Sequence, residues 1–130
     1  SGLSFDDTPL LILEGPTDLA AALDLGFPAI GRPSCRGAVR HTVDFVQQHG
    51  IRSAVVVADA DGPGRDGAYQ LARVLVTQVP TIHVVEPPGR TKDIRDWVRE
   101  GATPNDLCSL IERSDPLRVA VRFVVIAGNR

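Results

Sequence analysis

Val55-Val56-Val57-Ala58-Asp59-Ala60-Asp61-Gly62-Pro63-Gly64-Arg65-Asp66-Gly67 is the stretch that decides how the chain folds. Its apolar run, opened by Ser53 and Ala54, shows no polar–apolar alternation. A strand of that kind is buried on both faces, which places it in a parallel sheet with helices on each side. It ends in two acids spaced two apart, and residues two apart in a strand point to the same side. A second acid stands in the same kind of place, in Leu10-Leu11-Ile12-Leu13-Glu14-Gly15-Pro16. As parallel strands of one sheet, the two runs bring Glu14, Asp59 and Asp61 to one edge.

The rest of the chain alternates in the same way. Leu10–Glu14 reads as a strand, and Pro16 opens a helix in which Leu19, Ala20, Leu23 and Leu25 recur at helical spacing before Gly26 stops it. Pro28–Gly31 is a short second strand, and Gly31–Ser34 is a loop. Val39, Val43 and Val46 predict a helix from about Arg36 to Gln48, closed by Gly50. After the Ser53–Asp59 strand, Leu71, Ala72 and Leu75 predict a helix over Ala68–Val76. Thr81–Glu86 is a fourth strand, ended by Pro87-Pro88-Gly89. A short helix around Ile94, Trp97 and Val98 ends at Gly101, and another spans Pro104–Glu112 with Thr103 as its N-cap. Val119–Ile126 is β-branched and apolar, an extra strand or an element of a larger protein. The expected fold class is α/β, a mostly parallel four-stranded sheet with helices on both faces.

Bulk properties set bounds. A chain of 130 residues is one domain by length and buries roughly 70% of its unfolded surface. Ser1-Gly2 reads as a remnant of expression, leaving a core of about residues 8–114 with 117–130 as the extra element. No apolar run has membrane-spanning length and no signal-peptide layout is present, so the expectation is a cytoplasmic protein without a membrane partner. Cys35 and Cys108 lack metal-ligand spacing and are expected as reduced thiols. His41, His49 and His83 are scattered and read as surface or packing residues. The net charge of −2 excludes the broad basic stripe of a free-standing duplex-DNA binder.

Three acids at one sheet edge ask for compensation. Two carboxylates about 4 Å apart repel by about 4 kcal/mol at an effective dielectric of 20. A hard divalent cation such as Mg²⁺ removes that repulsion and keeps water sites open for phosphate oxygens. Asp-x-Asp-Gly also opens calcium loops, but here the third ligand position is Pro63 and the twelfth is Gln70. Phosphatases of the haloacid-dehalogenase type place such a motif on their first strand, whereas a strand–helix–strand–helix precedes it here. A phospho-receiver domain needs an acidic pair after the first strand, where only Glu14 stands. Gly62, Gly64 and Gly67 are compatible with a tight turn that brings a phosphate close to backbone amides, or with an ordinary loop.

Glu14-Gly15-Pro16-Thr17-Asp18 paired with Asp59-Ala60-Asp61 resembles the Toprim domain, shared by primases, topoisomerases, some nucleases and recombination-repair proteins. The primase and primase–helicase branch is the most similar, through Asp59-x-Asp61-x-x-Gly64 and Pro87-Pro88-Gly89-Arg90-Thr91-Lys92-Asp93 ahead of Asp96-Trp97. The resemblance covers roughly residues 8–112. It implies that Glu14 is a general acid or base in phosphoryl transfer, that Asp59 and Asp61 hold Mg²⁺ (Mn²⁺ serving as well), and that Asp93 contributes to a second metal site. Lys92 or Arg90 would meet a nucleotide phosphate, and Arg65, Gly15 and Gly64 complete the implied phosphate- or nucleic-acid-binding set. Nucleic acid and nucleotides are the implied partners, with primase and helicase parts of a larger protein around the domain. The basic single-strand-binding region, zinc module and aromatic platform of whole primases are not visible in this sequence. A Toprim nuclease, or a non-catalytic Toprim module that binds nucleic acid or a partner protein, therefore stands beside the synthetic reading.

Overall fold

The structure is a computed structural model that describes residues 8–32, 38–59 and 62–118. Four strands, β1 (Leu10–Leu13), β2 (Ala29–Gly31), β3 (Ser53–Val57) and β4 (Thr81–Val85), form one parallel sheet in the order β2-β1-β3-β4. Five helices join or follow them: α1 (Pro16–Asp24), α2 (Ala38–Gln48), α3 (Gly62–Leu75), α4 (Ile94–Arg99) and α5 (Pro104–Arg113). This is the α/β architecture expected from the unalternating strands.

Both faces of the two central strands are core. Leu10, Ile12, Ala54 and Val56 pack with Val46 of α2 and with Leu71, Ala72 and Leu75 of α3. Leu11, Leu13, Val55 and Val57 face the other way, onto Ala21 and Ala22 of α1, Ile94 of α4 and Leu107 of α5. Successive residues of a strand point to opposite faces, so a continuous apolar run is the pattern that two helical layers demand. Thr103 caps α5 as expected, in a reciprocal box: Asp106 N–H donates to Thr103 Oγ1 at 3.2 Å and Thr103 N–H to Asp106 Oδ2 at 2.8 Å.

One boundary differs in a way that matters. The sequence reading starts the third helix at Ala68, whereas α3 begins at Gly62 and takes in Pro63, Gly64 and Gly67. A proline is accommodated in the first helical turn because its missing N–H has no intrahelical partner to lose. These glycines therefore belong to the opening turns of a helix and not to an extended loop.

Beyond α5, Leu117 N–H donates to Ile82 O at 2.7 Å, an isolated antiparallel bridge against the outer strand β4. The expected strand at 119–126, the pair Ser1-Gly2, and Cys35 lie outside the described residues. Cys108 is an exposed free thiol. No helix among the described residues is long and apolar enough to cross a membrane.

Candidate active site at the carboxyl edge of the sheet

The strand order places two of the predicted acids side by side. From β1 the chain moves outward through α1 to β2, and from β3 it moves outward the other way through α3 to β4. The connection therefore changes direction between β1 and β3, and ligand crevices of open α/β sheets lie at such a switch point, outside the carboxyl ends of the strands. Glu14 follows β1 directly and Asp59 lies two residues beyond β3. Ile12 pairs with Val56 in parallel register, so Glu14 comes level with Ala58, next to Asp59. Both acids are partly buried. Asp61, the third predicted acid, lies outside the described residues.

Behind Glu14 the chain turns sharply. Gly15 sits at φ +90°, a conformation that other residues rarely adopt, and serves as N-cap of α1. Asp18, in the first turn of that helix, is buried and accepts a hydrogen bond from Arg95 N–H at 3.2 Å, tying α1 to α4. Burial pushes the Asp18 carboxyl above the ordinary aspartate range, and Asp93 and Asp96 nearby push the same way. Asp18 belongs to the Glu14-Gly15-x-x-Asp18 motif, which by itself assigns it no role at the site. Its burial comes from a contact with α4, distant in sequence.

Because folding raises the Asp18 pKa, its favourable contribution is full below about pH 3.9, the ordinary aspartate value. That contribution is lost as pH rises through the folded value. Asp18→Asn removes the charge and keeps an oxygen for Arg95 N–H. The variant is expected to melt above the wild type at pH 7, with the gap closing toward pH 4 in a series of thermal melts. A melting temperature below the wild type at pH 7 would refute the burial account.

The turn after β4 alternates inward and outward residues. Thr91 is buried, with its hydroxyl donated to Pro88 O, and Asp93 caps α4 by accepting from Asp96 N–H at 2.9 Å. Between and before them, Lys92 and Arg90 are exposed. The turn thus presents its two cations outward on a fixed backbone. Asp93, predicted for a second metal site, commits one oxygen to the helix cap.

Two arginines at this edge behave differently. Arg65, in the first turns of α3, donates Nε and Nη2 to Glu86 Oε2 and Oε1 at 2.9 and 3.0 Å. Its side-on fork, predicted to meet phosphate, is thus engaged by the acid that follows β4. Gly64 beside it is buried in the same helix. Arg32, which no motif singled out, follows β2, and its backbone N–H donates to Leu13 O, immediately before Glu14. Its side chain reaches α3, where a β-carbon placed on Gly67 would meet Arg32 Nη1 at 2.7 Å.

The donors at the switch point suit a hard cation. Mg²⁺ binds through one or two carboxylates and completes its shell with waters and substrate phosphates. Glu14 and Asp59 are carboxylates on neighbouring strand ends, with the Asp61 position two residues further on. Among the described residues no three His, Cys, Asp or Glu side chains gather into a ligand set.

No protein-family model matches the chain, and no curated protein matches it in sequence. Solved structures do match it in three dimensions. Against the E. coli primase catalytic core the TM-score is 0.66 at 17% identity, covering 85% of this chain and 35% of that one. Against a DNA primase domain from Pseudomonas aeruginosa it is 0.67 at 17% identity, covering 85% and 35%. The fold is that of the primase Toprim domain. A DnaG primase catalytic domain bound to ssDNA gives 0.67 at 18% identity, covering 84% and 34%. A chain of a bacteriophage T7 assembly gives 0.56 at 16% identity, covering 85% and 56%. That assembly joins lagging-strand DNA polymerase to the primase domains of two gp4 subunits, bound to an RNA/DNA hybrid and dTTP. The chain spans about a third of the length of the primase cores it matches. At these identities the likeness is one of Toprim fold.

Proposed function

We propose that this chain is the metal-dependent nucleotidyl-transfer domain of a DNA primase-type protein acting in replication in the cytoplasm. The observation that carries the reading is the placement of Glu14 and Asp59 together at the switch point of a primase-type Toprim sheet. The whole chain is read as one domain with its core at about residues 8–114, working beside other primase or helicase parts of a larger protein. Its partners are nucleotides and nucleic acid. The fold's appearance in a primase domain bound to ssDNA, and in an assembly with an RNA/DNA hybrid and dTTP, supports that choice.

In this reading Asp59 and Asp61 hold Mg²⁺, or Mn²⁺, and Asp93 offers its remaining oxygen to a second ion. The metal, when bound, neutralises charge on the phosphoryl oxygens and aligns them. Glu14 handles the proton of the attacking hydroxyl from the neighbouring strand end. Gly15 gives its turn without a side chain in the crevice. Arg90 and Lys92 meet phosphates from the turn after β4. Gly64 lets a phosphate approach the start of α3, and Arg65 joins in when a phosphate competes with Glu86 for its fork.

Manganese titration followed by electron paramagnetic resonance tests the metal assignment. Asp59→Asn is expected to bind Mn²⁺ on the order of 10- to 100-fold more weakly than wild type, since even outer-shell changes cost that much at metal sites. The double variant with Asp61→Asn is expected to lose binding. Equal affinity in all three proteins would remove the metal from this edge. A nuclease would use the same groups with water as the nucleophile, so primer synthesis and phosphodiester cleavage are assayed side by side.

A further inference from the structure

Arg32 Nε and Nη2 are shielded from water and have no hydrogen-bond partner among the described residues. Shielding guanidinium donors from water without giving them a partner is costly. These two nitrogens form the side-on fork of an arginine, the same pair that Arg65 uses to grip both oxygens of Glu86. Among the described residues, Arg65 thus has its fork filled by a carboxylate, whereas Arg32 has a shielded fork that is unfilled. The unfilled one begins at the end of β2, and its head lies against Gly67 of α3, across β1 from its own strand. That path runs along the carboxyl edge, by the strand end that carries Glu14. Gly67 makes the approach feasible, because any side chain there would collide with Nη1.

We propose that Arg32 is an anion-binding residue of the crevice, its fork taking two oxygens of one phosphate group of a nucleotide. The proposal rests on the reading of the crevice as a nucleotide site and adds the residue that grips the phosphate on the β2 side. Planar bidentate donation matches a phosphate as well as a carboxylate. Glu14 and Asp59, acids of the same edge, do not hydrogen-bond to the fork. A phosphate entering from the carboxyl edge takes the place of the packing that now shields both nitrogens.

The test is calorimetric titration of the 130-residue chain with inorganic pyrophosphate in metal-free buffer, with thermal melts of the same proteins. Arg32→Met is expected to weaken pyrophosphate binding by about 10- to 100-fold, the range for charge-assisted hydrogen bonds. It is also expected to melt no lower than wild type, since two shielded donors without a partner have been replaced by an apolar group. Arg32→Lys keeps the charge without the fork and falls between the two. Gly67→Ala, favourable for a helix, pushes the guanidinium off α3 and is expected to lose binding without losing stability. Absent pyrophosphate binding in the wild type, or equal binding in Arg32→Met, overturns the proposal. So does a marked fall in the melting temperature of Arg32→Met, which would show that the fork already serves a partner within the protein. These titrations contain no metal, so they fail independently of the Mn²⁺ experiment. Pyrophosphate binding without Mn²⁺ binding removes the metal and keeps Arg32, and the converse removes Arg32 alone.

Discussion

Glu14→Gln is expected to lower primer synthesis by about 10²- to 10⁴-fold, the range for losing a positioned general acid or base. The measurement is made with the chain in its natural full-length context, and cleavage of the same bonds is followed in parallel. The substitution keeps the size and one acceptor oxygen of the side chain and removes its charge and its capacity to exchange a proton. Glu14 follows β1 and belongs to neither buried cluster, so the variant has no structural reason to unfold. Its Mn²⁺ affinity is expected to fall far less than that of Asp59→Asn. The contrast separates proton handling from metal holding at two residues on adjacent strand ends. Undiminished synthesis would take Glu14 out of the mechanism.

Ile12→Ala is expected to destabilise the fold by about 3 kcal/mol, within the 2–5 kcal/mol found for truncating buried aliphatic side chains. Ile12 is fully buried at the centre of the sheet, in the cluster that includes Val56, Leu71 and Leu75. With a slope of roughly 1–3 kcal/mol per molar urea, the unfolding midpoint falls by about 1–3 M. A midpoint shift below a few tenths molar would mean that the core re-forms around the gap. Ile12 also pairs with Val56 in the register that brings Glu14 beside Asp59. Loss of metal affinity in the folded variant would therefore report movement of the edge.

The Val55–Val57 run was legible because burial on two faces writes itself into consecutive letters, and Thr103 because a cap and its partner lie three residues apart. Glu14 and Asp59 could be placed at one edge from the same logic, since each ends an unalternating apolar strand. What escaped were features built from distant parts of the chain. The Arg65–Glu86 pair, the Asp18–Arg95 contact and the approach of Arg32 to Gly67 each join residues with no local pattern between them. The start of α3 was misplaced for a different reason. Three glycines and a proline read as punctuation, yet Pro63 sits in the opening turn of the helix, where its missing N–H is harmless, and an arginine head lies against Gly67.

The bridge from Leu117 to Ile82 bears on how the molecule behaves in company. Outer strands are templates on which a second chain can add itself, and unguarded ones lead to aggregates. Here β2 offers only three residues to such an addition, and β4 already has a backbone carbonyl near its middle claimed by its own chain. Both borders of the sheet are thus poor seeds for intermolecular pairing. The one hydrogen bond just past α5 thus works against β-type pairing between molecules.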